Sequence, residues 1–149
     1  MKPQKTGWGK AIPFGVSETR DGHNFALYSR HATAVSLMLY LNRQSKPDCE
    51  IALDSVDNRT GDIWHINVKN LPGRFYYMYR IDGPWKPEIG HTFNPEIPLL
   101  DPYARLIAGS EKWGWRDPDL PQLLGGYTSE SYNWGDDRAP KIPLSDTII

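Results

Sequence analysis

Side chains suited to binding a sugar stand together in one proline-rich stretch of the chain. Trp85 is followed directly by Lys86, and His91 and Asn94 come a few residues later. A flat indole can stack on the apolar C–H face of a pyranose ring, while lysine and asparagine exchange hydrogen bonds with its hydroxyl groups. Because this tryptophan stands between two prolines, it would serve equally well as an apolar anchor that packs the loop against a neighbour. The sequence therefore predicts either a sugar platform or a packing anchor at Trp85.

Carboxylates that catalyse glycoside hydrolysis must face each other across a substrate cleft. The nearest approach to such a pair is Asp117 with Asp119 and Asp136 with Asp137, in stretches that also contain proline, glycine and tryptophan. Residues in that setting are typical of solvated turns. The sequence also lacks a nucleophile elbow, a P-loop and a dinucleotide-binding glycine motif. We therefore expect no catalytic residue in this chain.

The histidines do not form a metal-ligand pattern. None lies four residues from another, and none has a cysteine partner at the spacing of a zinc site. We therefore expect neither a metal nor a cofactor. The four histidines are His23, His31, His65 and His91.

Composition and charge narrow the possible partners. The net charge is −1 and the isoelectric point is near 6.4, so no excess of charge would steer the chain to nucleic acid or to an anionic membrane. We see no apolar signal region, and no stretch approaches the roughly 20 apolar residues of a membrane span. Cys49 is the single cysteine, so no intrachain disulfide is possible and the reducing cytoplasm is the expected location.

Alternating apolar residues predict short strands in the first hundred residues. The clearest case places Val35, Leu37, Leu39 and Leu41 on one face. Polar turns separate the predicted strands, and short strands at regular spacing indicate an all-β, antiparallel β-sandwich over residues 1–105. The predicted strands are residues 24–29, 35–41, 50–56, 63–68 and 75–81, which would bury Phe25, Leu27, Trp64, Ile66, Val68, Phe75, Tyr77, Tyr79 and Ile81.

The proline-rich stretch, residues 80–104, cannot be a helix interior or a central strand, because each proline removes a backbone donor. It begins as a strand, breaks at residues 82–84 and continues through further prolines. We expect an ordered loop that is held by its side chains and that either binds a ligand or packs against a neighbour.

Beyond residue 105 glycines and prolines interrupt every apolar run, so residues 106–149 are predicted to be an irregular connector that packs along a neighbour. Residues 145–149 have the composition of a strand that is just beginning. A terminal β-branched run without a partner would be an exposed edge, so we expect this sequence to be the front of a longer protein. The alternative is a final strand that closes the sandwich.

Several motifs follow one another in the order found in isoamylase-type glycogen debranching enzymes, and the chain resembles that family over nearly its whole length. The resemblance is weakest between residues 109 and 131. The motifs are DGHNFALYS at residues 21–29, GDIWH at 61–65, YRIDGPW at 79–85, GHTFNP at 90–95 and LLDPYA at 99–104.

The resemblance implies an immunoglobulin-like sandwich of the family-48 carbohydrate-binding class, placed before a catalytic (β/α)8 barrel of the α-amylase superfamily. That family hydrolyses α-1,6 branch linkages in glycogen and related glucans. The family's catalytic carboxylates lie on the barrel. Residues 133–149 resemble the family's approach to its first barrel strand, so those carboxylates come later in the family's sequence. The resemblance therefore implies a non-catalytic domain whose partner is the barrel of the same polypeptide. A glucan branching enzyme or a trehalose-releasing hydrolase is the alternative parent.

The binding residues of the related modules are matched only in part. Trp85 aligns with one of the two tryptophan platforms of those modules, whereas the second platform would fall near residues 41–43. The lysine that accompanies the two tryptophans in those modules would fall near Met78. The resemblance thus implies weak glucan binding or none, with Trp85, Lys86 and Asn94 as the candidates. A working glucan-binding module built on Trp85 is the alternative to docking. The candidates for docking on the barrel are Trp85, Phe93, Leu99, Leu100, Asp101 and Tyr103.

Overall fold

The computed structural model describes residues 5–109, 114 and 123–146. Strands dominate the described part of the chain, and the helical residues there form two short 3-10 turns, Pro87–Ile89 and Leu144–Asp146. The strands are β1 (Thr6–Gly7), β2 (Gly15–Thr19), β3 (Gly22–Tyr28), β4 (Ala34–Tyr40), β5 (Cys49–Ala52), β6 (Arg59–Thr60), β7 (Ile63–Val68), β8 (Arg74–Asp82), β9 (Trp85–Lys86), β10 (His91–Thr92), β11 (Leu106–Ala108) and β12 (Leu124–Thr128).

The strands form two antiparallel sheets and a small hairpin. The first sheet has the order β1-β7-β3-β2, with β6 paired to β7. The second sheet has the order β11-β12-β8-β4-β5, and β9 pairs with β10 in the hairpin. The predicted antiparallel β-sandwich is therefore confirmed, and its architecture is consistent with an immunoglobulin-like sandwich.

The inner faces of the two sheets form the main core, as the alternating pattern predicted. Phe25 on β3 lies opposite Ile66 on β7, and Leu37 on β4 lies opposite Tyr79 on β8. Leu41 differs from the prediction, because it follows the last residue of β4 and is half-buried. The buried members of this core are Val16, Phe25, Leu27, Ala32, Val35, Leu37, Leu39, Leu53, Trp64, Ile66, Val68, Phe75, Tyr77, Tyr79 and Ile81.

A second apolar cluster covers the outer face of the second sheet. Met38 lies opposite Met78, and Tyr40 lies opposite Tyr76, so β4 and β8 are buried on both faces. Strands buried on both faces have continuous apolar sequences rather than alternating ones, which explains why both of these strands carry few polar residues. The second cluster consists of Met38, Tyr40, Tyr76, Met78, Ala108 and Leu124, with Leu100 and Leu106 packed against it.

The predicted irregular connector is wrong where β11 and β12 lie, because both strands belong to the second sheet and extend the sandwich beyond residue 105. Gly125 and Gly126, which we interpreted as breaks, pair with Tyr77 and Tyr76 of β8. A Cβ atom on Gly126 would lie 3.0 Å from the side chains of Leu106 and Tyr76. The two glycines therefore permit close packing inside a strand.

The rest of the predicted connector is described only in part. Tyr132 and Trp134 are exposed and contact each other edge to face, with ring centroids 4.8 Å apart. The beginning of the predicted terminal strand lies in the 3-10 turn Leu144–Asp146 instead. Trp113, Trp115, Asp117, Asp119 and residues 147–149 lie outside the described residues.

His23 couples the stability of the sandwich to pH. Its ring is 8 % exposed and packs edge-on against Phe75 and Tyr127, with ring centroids 5.0 and 4.6 Å away. Burial lowers the pKa of His23, and the nearby Glu18 carboxylate offsets this only in part. A histidine whose pKa is lowered in the folded state stabilises the fold above its unfolded pKa and loses that contribution as the pH falls.

We therefore expect the free energy of unfolding to decrease between about pH 7.5 and pH 5, and His23→Gln to make this decrease shallower. Urea unfolding at a series of pH values measures the slope. The matched control is the same substitution at the exposed His31. Equal slopes for the two variants would contradict the assignment to His23.

Candidate functional site

The segment after β8 leaves the second sheet and then returns to it. The β9–β10 hairpin encloses the turn Pro87–Ile89, which ends at Gly90 with a left-handed φ of 82°. The chain then comes back to β8, where the N–H of Tyr79 donates to the carbonyl of Leu99 (2.9 Å) and the N–H of Leu99 donates to the carbonyl of Tyr79 (2.7 Å). Residues 83–103 are here called the return segment; Leu99 bridges to Tyr79 of β8, beyond the part of β8 that pairs with β12.

Phe93 fixes the start of the return segment from inside the domain. Its ring lies on the Cα atom of Gly83, where a Cβ atom would be 2.7 Å from the ring. Phe93 is half-buried and packs against the main core. The glycine of the Asp-Gly-Pro motif is therefore required by the aromatic ring above it, and Phe93, predicted as a docking anchor, packs within its own domain.

Polar contacts fix the middle of the return segment. The Nε atom of Arg80 lies 2.9 Å from Oε1 of Glu50 on β5, and its Nη1 donates to the carbonyl of Pro95 at 2.7 Å. Oδ1 of Asn94 accepts from the N–H of Glu96 at 2.9 Å. Asn94, predicted as a sugar ligand, therefore uses its carbonyl oxygen to form a turn.

Asp101 fixes the end of the return segment. Its carboxylate is 1 % exposed and accepts hydrogen bonds from the hydroxyl of Tyr77 and from the N–H of Tyr103, each at 2.8 Å. Burial raises the pKa of Asp101, and these two hydrogen bonds oppose the rise. Burial and the nearby carboxylate raise the pKa of Tyr77 and of Tyr79. Both tyrosines are therefore neutral at physiological pH, and the Tyr77 hydroxyl is the one that donates to Asp101.

Two of the predicted docking residues are thus interior residues of the sandwich. Asp101 is inaccessible to another domain, and Leu100 packs against the outer cluster of the second sheet. The LLDPYA motif at residues 99–104 is the part of the return segment that is hydrogen-bonded to β8. A carboxylate followed by proline resembles a surface turn, which is why the sequence alone suggested exposure.

Several exposed side chains of the return segment are apolar. Trp85 is 65 % exposed, Ile97 54 % and Leu99 45 %. Ile97 and Leu99 open into a cavity of about 280 Å³, whose described walls also include Ile81, Thr92, Phe93 and Asn94. Trp85 and Lys86 are not among the described residues that line it. The sequence did not single out Ile97, although an isoleucine between two prolines in a loop was an available signal.

Tyr103 lies in a separate groove at the start of β2. Its ring contacts Phe14, with centroids 5.0 Å apart, and both residues line a groove of about 680 Å³ together with Leu27, Tyr28 and Pro102. Tyr28 and Tyr103 are both half exposed. Phe14 and Tyr28 were missed by the sequence analysis, because neither stands near the proline-rich stretch.

The second sugar platform of the related modules has no exposed aromatic counterpart among the described residues near positions 41–43. Tyr40, the aromatic residue nearest to that place, is 1 % exposed and belongs to the outer cluster of the second sheet. Met78, at the place of the accompanying lysine, is 2 % exposed. A glucan at Trp85 would therefore meet one indole and the exposed Lys86.

Within residues 5–109, 114 and 123–146, no helix is long and apolar enough to cross a membrane. In the same ranges no three histidine, cysteine, aspartate or glutamate side chains are placed to share a metal ion.

Comparison with known proteins identifies the family. Residues 13–104 match carbohydrate-binding module 48, the isoamylase N-terminal domain. The chain is 41 % identical to isoamylase 3, chloroplastic, of Oryza sativa subsp. japonica over 99 % of its length, and 35 % identical to the glycogen debranching enzyme of Salmonella typhi over 95 %. The chain therefore belongs to the carbohydrate-binding module 48 family. It spans about a fifth of the length of these two relatives, 20 % and 22 %.

Solved structures support the fold. The Group B Streptococcus pullulanase SAP, solved in complex with maltotetraose, superposes with a TM-score of 0.53 at 21 % identity, covering 80 % of this chain and 15 % of the pullulanase. At this level of identity the likeness establishes the fold alone.

The contact between Gly83 and Phe93 predicts a specific packing defect. Gly83→Ala should destabilise the sandwich by about 1–3 kcal/mol, because the added methyl group would overlap the aromatic ring. Phe93→Leu should relieve part of this overlap, so the double variant Gly83→Ala/Phe93→Leu should be more stable than the sum of the two single effects implies. Urea unfolding measures all three variants. Gly7→Ala is the control, since its Cβ atom would meet nothing closer than 3.7 Å, and additive effects would refute the proposed contact.

The buried carboxylate of Asp101 predicts the opposite pH dependence to His23. An acid whose pKa is raised in the folded state loses stabilising free energy as the pH rises through that pKa. Asp101→Asn removes this loss, so the stability of the variant relative to the unmodified chain should increase from about pH 4 to pH 7. Chemical denaturation at both pH values tests this. The same substitution at the exposed Asp57 is the control, and equal trends in Asp101→Asn and Asp57→Asn would count against the raised pKa.

Proposed function

We propose that this chain is the non-catalytic N-terminal module of an α-1,6-glucan debranching enzyme, and that it docks on the catalytic barrel through the return segment. Family membership and the debranching relatives support the parent enzyme. The observation that carries the docking role is the apolar surface formed by Ile97 and Leu99 around the 280 Å³ cavity. Exposed apolar surface of this kind marks interaction sites.

The residues of the return segment divide into two groups in this proposal. Trp85, Ile97, Leu99 and Tyr103 are exposed and would contact the barrel. Phe93, Leu100 and Asp101 pack within the sandwich and would hold the exposed residues in place. Interfaces between domains of one chain bury about 600–1,500 Å², which requires the Phe14–Tyr103 groove to take part as well.

The chemical step belongs to the barrel in this proposal, and its carboxylates lie outside this chain. The order of the DGPW and LLDPYA motifs favours a debranching parent over a branching enzyme or a trehalose-releasing hydrolase. The single Cys49 favours a reducing compartment, so the cytoplasm remains the proposed location.

A chimera tests docking directly. The chain replaces the matching N-terminal fifth of the rice isoamylase 3, and debranching activity and melting temperature are measured. We expect the chimera to be active, and Ile97→Asp and Leu99→Asp each to destabilise its domain contact by about 2 kcal/mol or more, because a charge would be buried in an apolar interface. The melting temperature of the module in the chimera and the activity should both fall.

Val56→Asp is the matched control for this experiment. Val56 is 81 % exposed in the turn between β5 and β6, so the same chemical change there should leave both readouts unchanged. If Ile97→Asp and Leu99→Asp behave like Val56→Asp, the return segment is not the docking surface.

A glucan-binding module built on Trp85 is the second candidate function, because Trp85 is 65 % exposed beside the exposed Lys86. Tryptophan fluorescence during a maltoheptaose titration distinguishes the two. Saturable binding that Trp85→Ala abolishes would favour the module. In the docking proposal Trp85→Ala leaves any glucan affinity of the isolated chain unchanged.

A further inference from the structure

A polar cleft with one exposed tryptophan lies at the end of the first sheet. It has a volume of about 300 Å³ and opens between the residues after β1, the turn from β2 to β3 and the end of β7. Strand register brings these pieces together, because Gly7 and Asn24 pair with Asn67 from its two sides. We call it the Trp8 cleft; Trp8, Lys10, Thr19, Arg20, Asn67 and Lys69 are among its lining residues.

The backbone on both sides of Trp8 is firmly held, while its indole is 82 % exposed. Gly9 lies so close to β7 that a Cβ atom would be 2.5 Å from the N atom of Ile66. Asn24 accepts from the N–H of Lys10 at 2.6 Å and donates to its carbonyl at 2.9 Å. The chain therefore presents a large flat ring to solvent from a fixed position, which keeps the ordering entropy of binding low.

A chain of hydrogen bonds fixes the wall of the cleft. Asn67 is 7 % exposed, and its Nδ2 donates to Oγ1 of Thr19 at 2.9 Å. That hydroxyl in turn donates to the carbonyl of Gly22 at 3.0 Å. Oδ1 of Asn67 has no hydrogen-bond partner among the described residues. This oxygen lies next to Gly22, where an added Cβ atom would be 2.9 Å from it, so Asn67 and Thr19 shape the wall without offering the oxygen to a ligand.

The rim of the cleft supplies donors. Lys69 forms an ion pair with Asp21. Lys10 and Arg20 are exposed, and within the described ranges neither side chain is paired with a carboxylate. An ammonium and a guanidinium group therefore stand free beside the indole, ready to donate to hydroxyl oxygens.

We propose that the Trp8 cleft binds an α-glucan chain, with one glucose ring stacked on Trp8 and its hydroxyl groups hydrogen-bonded by Lys10 and Arg20. The choice of an α-glucan rests on the proposed function, whereas the site itself rests on the geometry of the cleft. A flat apolar face with donors around it matches a pyranose ring, which has an apolar C–H face and hydroxyl groups at its edge. With one platform the affinity is about millimolar.

Titration of the isotope-labelled chain with maltoheptaose, followed by two-dimensional ¹H–¹⁵N NMR, tests the site residue by residue. We expect saturable shifts of the Trp8 indole N–H, of the Asn67 side-chain amide and of backbone amides in residues 19–24. Trp8→Ala should weaken binding about tenfold or more. The matched control Trp134→Ala removes another exposed tryptophan and should leave the dissociation constant unchanged.

Two results would overturn the site. One is the absence of saturable shifts up to the solubility limit of maltoheptaose, and the other is saturable binding that Trp8→Ala does not weaken. This outcome is independent of the chimera experiment, which measures docking of the return segment. If the titration shows no binding while the chimera is active and is impaired by Ile97→Asp, only the Trp8 site is rejected. If glucan binds saturably at Trp8 while Ile97→Asp and Leu99→Asp leave the chimera unchanged, only the docking proposal is rejected.

Discussion

The hydrogen bond between Asp101 and Tyr77 determines where the return segment can run. A carboxylate that is 1 % exposed is tolerated only where its acceptor positions are filled. The Tyr77 hydroxyl and the Tyr103 N–H fill them at 2.8 Å each. Because Tyr77 belongs to the centre of β8, this contact joins a loop to the most rigid part of the second sheet. Leu99, which bridges to Tyr79, lies two residues before Asp101. The exposed face of Ile97 and Leu99 is a consequence of this bridge and of the Asp101–Tyr77 hydrogen bond.

The double burial of the second sheet makes that anchor rigid. β8 lies between β4 and β12, with core side chains on its inner face and the outer cluster on the other. A strand in this position cannot shift register without exposing one of the two clusters. The return segment is therefore attached to a fixed support. This is the arrangement a docking surface needs, because a preorganised surface loses little entropy when it binds.

The sequence predicted the sandwich well because burial follows an alternating pattern along the strands. Phe75, Tyr77 and Tyr79 point to the core as expected. The burial of Asp101 was not predictable from that pattern, since it depends on a hydroxyl group 24 residues earlier in the chain. Gly125 was misread for the same reason, because its close partner, the carbonyl of Tyr77, is also remote in sequence. Local patterns thus predicted the strands, whereas the candidate site arises from contacts between remote residues.

The two proposed surfaces can be occupied at the same time because they lie at different places on the sandwich. The Trp8 cleft opens beside Thr19, the last residue of β2, whereas Phe14 and Tyr103 meet just before its first residue, Gly15. The length of this strand separates the two by roughly 15 Å. Ile97 and Leu99 extend from the second sheet, while the cleft is formed by strands of the first. A glucan chain stacked on Trp8 would therefore leave the return segment free to contact a barrel. In the proposed enzyme the module would then hold a glucan chain while it stays docked on the barrel.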